Sequence, residues 1–137
     1  MGVRLEMYNK FLLVLLAVAT LNGCAAVRAF DSAEEQVRVR AQERVDFLIN
    51  KNLKGAYEYA TPALRDLETI QQYHSRVGGA ALWTKAVVQK VVCEEDACDV
   101  DVEVTYRILR LGSIEMTRII QERWVKSKNN WWIYHQL

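Results

Sequence analysis

Apolar and polar positions divide the chain into three regimes. An apolar run, with Thr20 near its end, extends from Phe11 to Leu21, directly behind Lys10. After a short interval, Val37, Ala41, Val45 and Leu48 recur at steps near four, which predicts a helix over 32–50 with one buried stripe. Ser32 and Glu35 form a capping-box pattern at its start, and Asn50-Lys51-Asn52 closes it. Arg38, Arg40 and Arg44 fall mostly off the stripe, with Glu34 and Glu43 interspersed, and predict a solvated face. A second short helix is expected over 53–59. Thr61-Pro62 supplies an N-cap and a first-turn proline for another turn or two, to about Leu67. A last helix over 68–77 carries Ile70, Tyr73 and Val77 on one side and stops at Gly78-Gly79.

From Leu82 onward the period changes to two, as strands require. With Cys93 set opposite Cys98 across the loop 94–97, one face of a hairpin holds Val91/Val100, Gln89/Val102, Val87/Val104, Lys85/Tyr106 and Trp83/Ile108. The other face holds Val92/Asp99, Lys90/Asp101, Val88/Glu103, Ala86/Thr105 and Thr84/Arg107. The first set is largely apolar and the second largely polar, the division a half-buried antiparallel pair needs. Opposed strand positions also suit a disulfide, so Cys93–Cys98 is expected to be one. A turn at 109–113, a third strand over 114–126 with a bulge between Met116 and Ile119–Ile120, a turn at 127–130 and a fourth strand over 131–137 complete the chain. Helices followed by strands predict an α+β class, with N-terminal helices packed on a curved antiparallel sheet of about four strands.

The apolar run is eleven residues. As a helix it would reach about 17 Å, against about 30 Å for a bilayer core, so it suits a signal peptide better than a membrane span. Glu6 is out of place in such a leader, and a start at Met7 would give a cleaner one; Met1 and Met7 both stand as starts. The run ends in Leu21-Asn22-Gly23-Cys24, which resembles the lipobox of bacterial lipoproteins. The resemblance implies a leader over 1–23, lipidation of Cys24, a tether over 24–31 and a domain over 32–137. It also implies an acylated, membrane-anchored envelope protein. Ala25, where aspartate is associated with inner-membrane retention, points to the periplasmic face of the outer membrane if the source is Gram-negative. Ordinary cleavage after Ala25 or Ala29 is the competing reading. Cysteine parity opposes it, because pairing Cys93 with Cys98 would leave Cys24 as a lone thiol unless lipid caps it.

The chain has 137 residues, 51% hydrophobic and 26% charged, which is globular composition for one domain. Outside the leader, basic and acidic side chains are equal in number, so no nucleic-acid partner is expected. His74 and His135 are far apart, without metal-ligand spacing, and Asp46 faces away from the stripe. Glu94, Glu95, Asp96, Asp99 and Asp101 crowd the hairpin tip without the spacing or glycine of a calcium loop. No catalytic residue, metal or cofactor is therefore assigned.

Four stretches carry a further resemblance: residues 44–49 on the first helix, 56–62 on the second, Arg123-Trp124-Val125 on the third strand and Asn130-Trp131-Trp132-Ile133 on the last. Together they resemble the nuclear-transport-factor-2-like superfamily, which includes ketosteroid-isomerase-like proteins. The resemblance implies a cone with an apolar pocket between helices and sheet. Tyr57, Tyr73, Trp83, Tyr106, Trp124 and Tyr134 are the pocket candidates, and Trp131 is the candidate for an exposed partner contact. The leading expectation is a noncatalytic, lipid-anchored envelope domain that binds a small apolar ligand or an envelope protein partner through its pocket or sheet face. An isomerase- or hydrolase-type enzyme and a structural homodimerisation module stand as alternatives. Replacing Cys24→Ser should move the protein from the membrane to the soluble fraction. Unchanged membrane fractionation would remove the anchoring claim.

Overall fold

The stripe at Val37, Ala41, Val45 and Leu48 becomes the buried face of helix α1 (Ala33–Ile49), with Glu34 and Glu35 in its first turn, where the helix dipole favours anions. The computed structural model describes residues 32–108, 110 and 113–136; the leader and Cys24 lie outside the described residues. Lys51 closes α1 in the left-handed region (φ 59°). Its N–H donates to Leu48 O at 3.1 Å and the Asn52 N–H to Phe47 O at 2.8 Å, which together form a Schellman stop.

Asn52 then caps α2 (Leu53–Tyr57), and Thr61 caps α3 (Pro62–Leu67), with Pro62 in the first turn. Helix α4 (Ile70–Val77) starts slightly later than its apolar pattern suggests. Thr69 and Gln72 form a reciprocal capping box there, leaving Glu68 outside the helix. A 3-10 turn (Gly78–Leu82) leads into the sheet.

Strands β1 (Trp83–Glu94), β2 (Ala97–Ile108), β3 (Ile114–Ser127) and β4 (Asn130–Tyr134) follow one another in one antiparallel sheet, in the order β1-β2-β3-β4. Helix α1 lies across it, giving the expected α+β arrangement of helices on an open four-stranded sheet. Cys93 faces Cys98 and the two are disulfide-bonded. Glu94 pairs with Ala97, so only Glu95 and Asp96 form the loop.

The register expected from the cysteines holds from Cys93 back to Lys90 and then shifts twice, between Val88 and Lys90 and between Trp83 and Lys85. These irregularities correct the expected faces. Val88 and Ala86 turn into the core opposite Val102 and Val104, while Gln89 and Lys85 stay in water. A straight register would have buried the two polar side chains, and burial without partners is costly. The bulge expected in β3 is absent, because β2 and β3 pair without interruption from Ala97↔Val125 to Ile108↔Ile114. The apparent break in alternation there has another cause: from Ile114 to Ile119 both faces of β3 are exposed. Lys128 and Asn129, both at positive φ, turn β3 tightly into β4.

β4 is shorter than expected. It ends at Tyr134, and the tail turns toward α4, where Arg76 donates to Gln136 O at 2.8 Å. On its other side β4 is joined by a parallel bridge from Ala60, with the Ile133 N–H donating to Tyr59 O at 2.9 Å. The core between the layers includes Trp124, Trp131, Tyr73, Leu64 and the valines at 37, 45, 100, 102 and 104.

Candidate functional site

Even-numbered positions of β3 face the helices, placing Trp124, Glu122, Ile120 and Arg118 in a row toward the open end of the sheet. Arg44 comes down from α1, one position before Val45 and four before Leu48, and is 3% exposed. Glu122, 8% exposed, accepts from its Nη1 at 2.6 Å. The other carboxylate oxygen accepts from Trp124 Nε1 at 2.9 Å. Arg44 Nε donates to the Tyr73 hydroxyl at 3.3 Å, and that hydroxyl donates to Ala56 O at 3.4 Å. Burial works against the Arg44 charge, but Glu122 and Tyr73 more than offset it and hold the guanidinium above its ordinary pKa.

Beyond this pair lies a cavity of about 280 Å³, bounded by the end of α4, the 3-10 turn, β3 and the tail after β4. Trp83, Ile120 and Ile133 supply apolar wall; Arg44, Arg76, Arg118, Gln121, Glu122, Arg123 and His135 supply polar groups. Arg76 is paired with Glu68 and Arg123 with Asp99. Arg118, over the Tyr106 ring at 5.5 Å, has no carboxylate partner among the described residues.

His135 packs edge-on against Tyr73 with ring centroids 5.6 Å apart, and its buried Nε2 has no hydrogen-bond partner among the described residues. Burial, then Arg44 and Arg76, push its pKa down to about 4, with Glu68 acting weakly the other way. At neutral pH the imidazole is therefore uncharged. Glu122, the carboxylate in the lining, has both oxygens engaged, so it is held as a counter-ion and is not presented to a substrate as a base.

The expected pocket residues separate. Trp83 and Tyr134 line the cavity, and Tyr106 stands half-buried beside it under Arg118. Tyr73 lies fully buried behind Arg44 and His135. Tyr57 and Trp124 are corrections: both are core residues, their polar tips held by Arg65 O and Glu68 O and by Glu122. Trp131 is a correction as well. It is 2% exposed, because alternation along β4 puts it with Ile133 on the inner face. Trp132 is the half-buried neighbour, with Arg40 and Arg65 over its ring at 5.4 and 5.2 Å.

The sequence reading missed Arg44, Arg118, Glu122 and His135. Arg44 was readable after all, since 37, 41, 44 and 48 is a stripe with 3–4 spacing. The others share the parity of Trp124 on β3 or of Trp131 and Ile133 beyond β4. Among the described residues no group of three or more His, Cys, Asp or Glu could hold a metal ion, and no helix is long and apolar enough to cross a membrane.

No family model matches the sequence, and no curated protein does. Among solved structures, the fold is similar to the solution structure of a SEC-C motif containing protein from Rhodopseudomonas palustris. The TM-score is 0.53 at 16% identity, over 76% of this chain and 76% of that one. A second similarity, to a crystal structure described as a putative NTF2-like transpeptidase from Campylobacter jejuni, has a TM-score of 0.45 at 8% identity, over 71% of this chain and 95% of that one. The first likeness shows a shared fold.

Two outcomes follow from this geometry. Glu122→Gln strands a buried guanidinium and should cost about 3–5 kcal/mol in urea unfolding, whereas the double change Arg44→Met, Glu122→Leu should recover most of the loss. His135 has a depressed folded-state pKa, so the unfolded chain binds more protons between about pH 6.5 and about 4. Stability should fall as pH drops through that window, and His135→Phe should flatten this part of the unfolding-versus-pH profile.

Proposed function

We propose that this is a noncatalytic binding domain of the cell envelope, of nuclear-transport-factor-2-like type. In this reading lipid on Cys24 holds it at the periplasmic face of the outer membrane, and its cavity takes a small, largely apolar molecule bearing one anionic group. The observation that carries the reading is the cavity's composition: apolar walls from Trp83, Ile120 and Ile133, with Arg118 in the lining, a cation that has no carboxylate partner among the described residues. Such a site gains affinity from desolvating the apolar body and orientation from a few polar groups. At about 280 Å³ it lies near the lower end of ligand-pocket size, so the ligand is small. An isomerase- or hydrolase-type reaction would call for a carboxylate or imidazole free to exchange a proton with a substrate. Glu122 is clamped by Arg44 and Trp124, and the His135 Nε2 is buried.

The test is native mass spectrometry of the full-length protein, purified gently from its own host. A reproducible extra mass that is lost in Trp83→Ala and weakened in Arg118→Ala would support the reading. An acylated chain without added mass, or an added mass indifferent to both changes, would overturn it.

A further inference from the structure

The chain leaves the sheet at Tyr134 and runs back over α4, and in doing so it walls the cavity with Tyr134 and His135. Arg76 Nη1 fastens it by donating to Gln136 O at 2.8 Å, and the His135 ring fastens it by packing edge-on against Tyr73. The imidazole is half-buried, yet its Nε2 is fully enclosed and has no hydrogen-bond partner among the described residues. A titratable ring thus serves as the plug of a short strap.

The charged and titratable groups around this ring are engaged with one another. Arg44, from α1, is paired with Glu122 of β3, whose second oxygen accepts from Trp124. Arg76, from α4, donates to both oxygens of Glu68, which precedes α4. The Tyr73 hydroxyl accepts from Arg44 and donates to Ala56 O. Arg118 and Arg123, the other cations of the lining, offer no acceptor, and the 3-10 turn at the same cavity brings no titratable side chain. A neutral His135 leaves one nitrogen unsatisfied, which is tolerable. An imidazolium in the same place would bury an N–H without an acceptor and set a charge beside two guanidinium groups. Burial first, then Arg44 and Arg76, accordingly hold the enclosed ring's pKa down at about 4. Because the depressed value belongs to the enclosed ring, the lifted strap binds the extra proton, and acid favours lifting.

We propose that Tyr134–Gln136 is an acid-opened gate on the cavity. Proton uptake by His135 draws the ring off Tyr73 into water, the strap lifts from α4, and the cavity loses the wall that Tyr134 and His135 supply. The hinge lies at the end of β4, since Ile133 stays fixed by Trp124 opposite it and by its N–H on Tyr59 O. A ring that titrates near 6.5 when lifted and near about 4 when enclosed shifts the opening equilibrium about 100-fold between pH 7 and pH 4. The gate is independent of any ligand; only its use, discharge of a bound molecule in acid, rests on the reading of the cavity as a binding site.

Ile133→Cys sets a thiol on the inner face of β4, directly before the strap, at a position now 3% exposed. In the full-length chain, its reaction with a dipyridyl disulfide is read by peptide mass mapping and divided by the rate at Thr117→Cys, an exposed site. The ratio should rise about 100-fold from pH 7 to pH 4. His135→Phe keeps a ring against Tyr73 but takes no proton, and should remove most of the rise; His135→Gln does the same if the phenylalanine variant does not fold. Ala41→Cys, fully buried on α1, reports global unfolding and should stay far slower than position 133 at every pH. A flat ratio with His135 in place, a rise undiminished by its replacement, or labelling of position 41 as fast as position 133 would each overturn the proposal. The last would mean that acid unfolds the whole domain. No ligand enters the measurement, so its failure would leave the cavity reading to its own test.

Discussion

The architecture turns on one buried ion pair. Arg44 and Glu122 are 2.6 Å apart with almost no water contact, and they come from the first helix and the third strand, far apart in sequence. A charge buried alone is far more costly than a buried pair, so neither residue can reach its place without the other. The pair therefore constrains two things together. It sets the rotation of α1 about its axis, and it sets the parity of β3, because a slip of one residue would carry Glu122 to the solvent face. Against a well-packed apolar substitute such a pair contributes little net stability. What it supplies here is selection of one arrangement of helix on sheet.

The cavity is a consequence of unequal strand lengths. The β2–β3 hairpin runs its full length without a bulge, but β4 stops at Tyr134 and the tail swings onto α4. The space between β3 and the helix end is left unfilled by the sheet and is partly closed by His135 and Tyr134. The same early stop leaves β3 before Arg123 without a neighbouring strand on that side among the described residues.

Much of the local structure was legible. Thr61-Pro62, Asn50-Lys51-Asn52 and the four-step apolar stripe of α1 encode their caps and faces in contacts a few residues apart. The cysteines correctly marked the register of the first hairpin near its tip. The site was less legible. Arg44 has the spacing of a buried position, yet its charge argued for the solvent face, since the carboxylate that neutralises it lies on a strand whose pairing cannot be read from the helix. Trp131 was assigned the wrong face because β4 has too few residues for alternation alone to choose one.

By itself, the sequence determined the succession of helices and strands, most of their ends, and the pairing of Cys93 with Cys98. These depend on hydrogen bonds and side-chain periodicities within a turn or a hairpin. Only the tertiary structure decided where β1 bulges, which arginine is buried, and which aromatics are core and which face the cavity. Each of those outcomes is a competition between distant segments for the same buried space, and it is settled by whether a polar group finds its partner there.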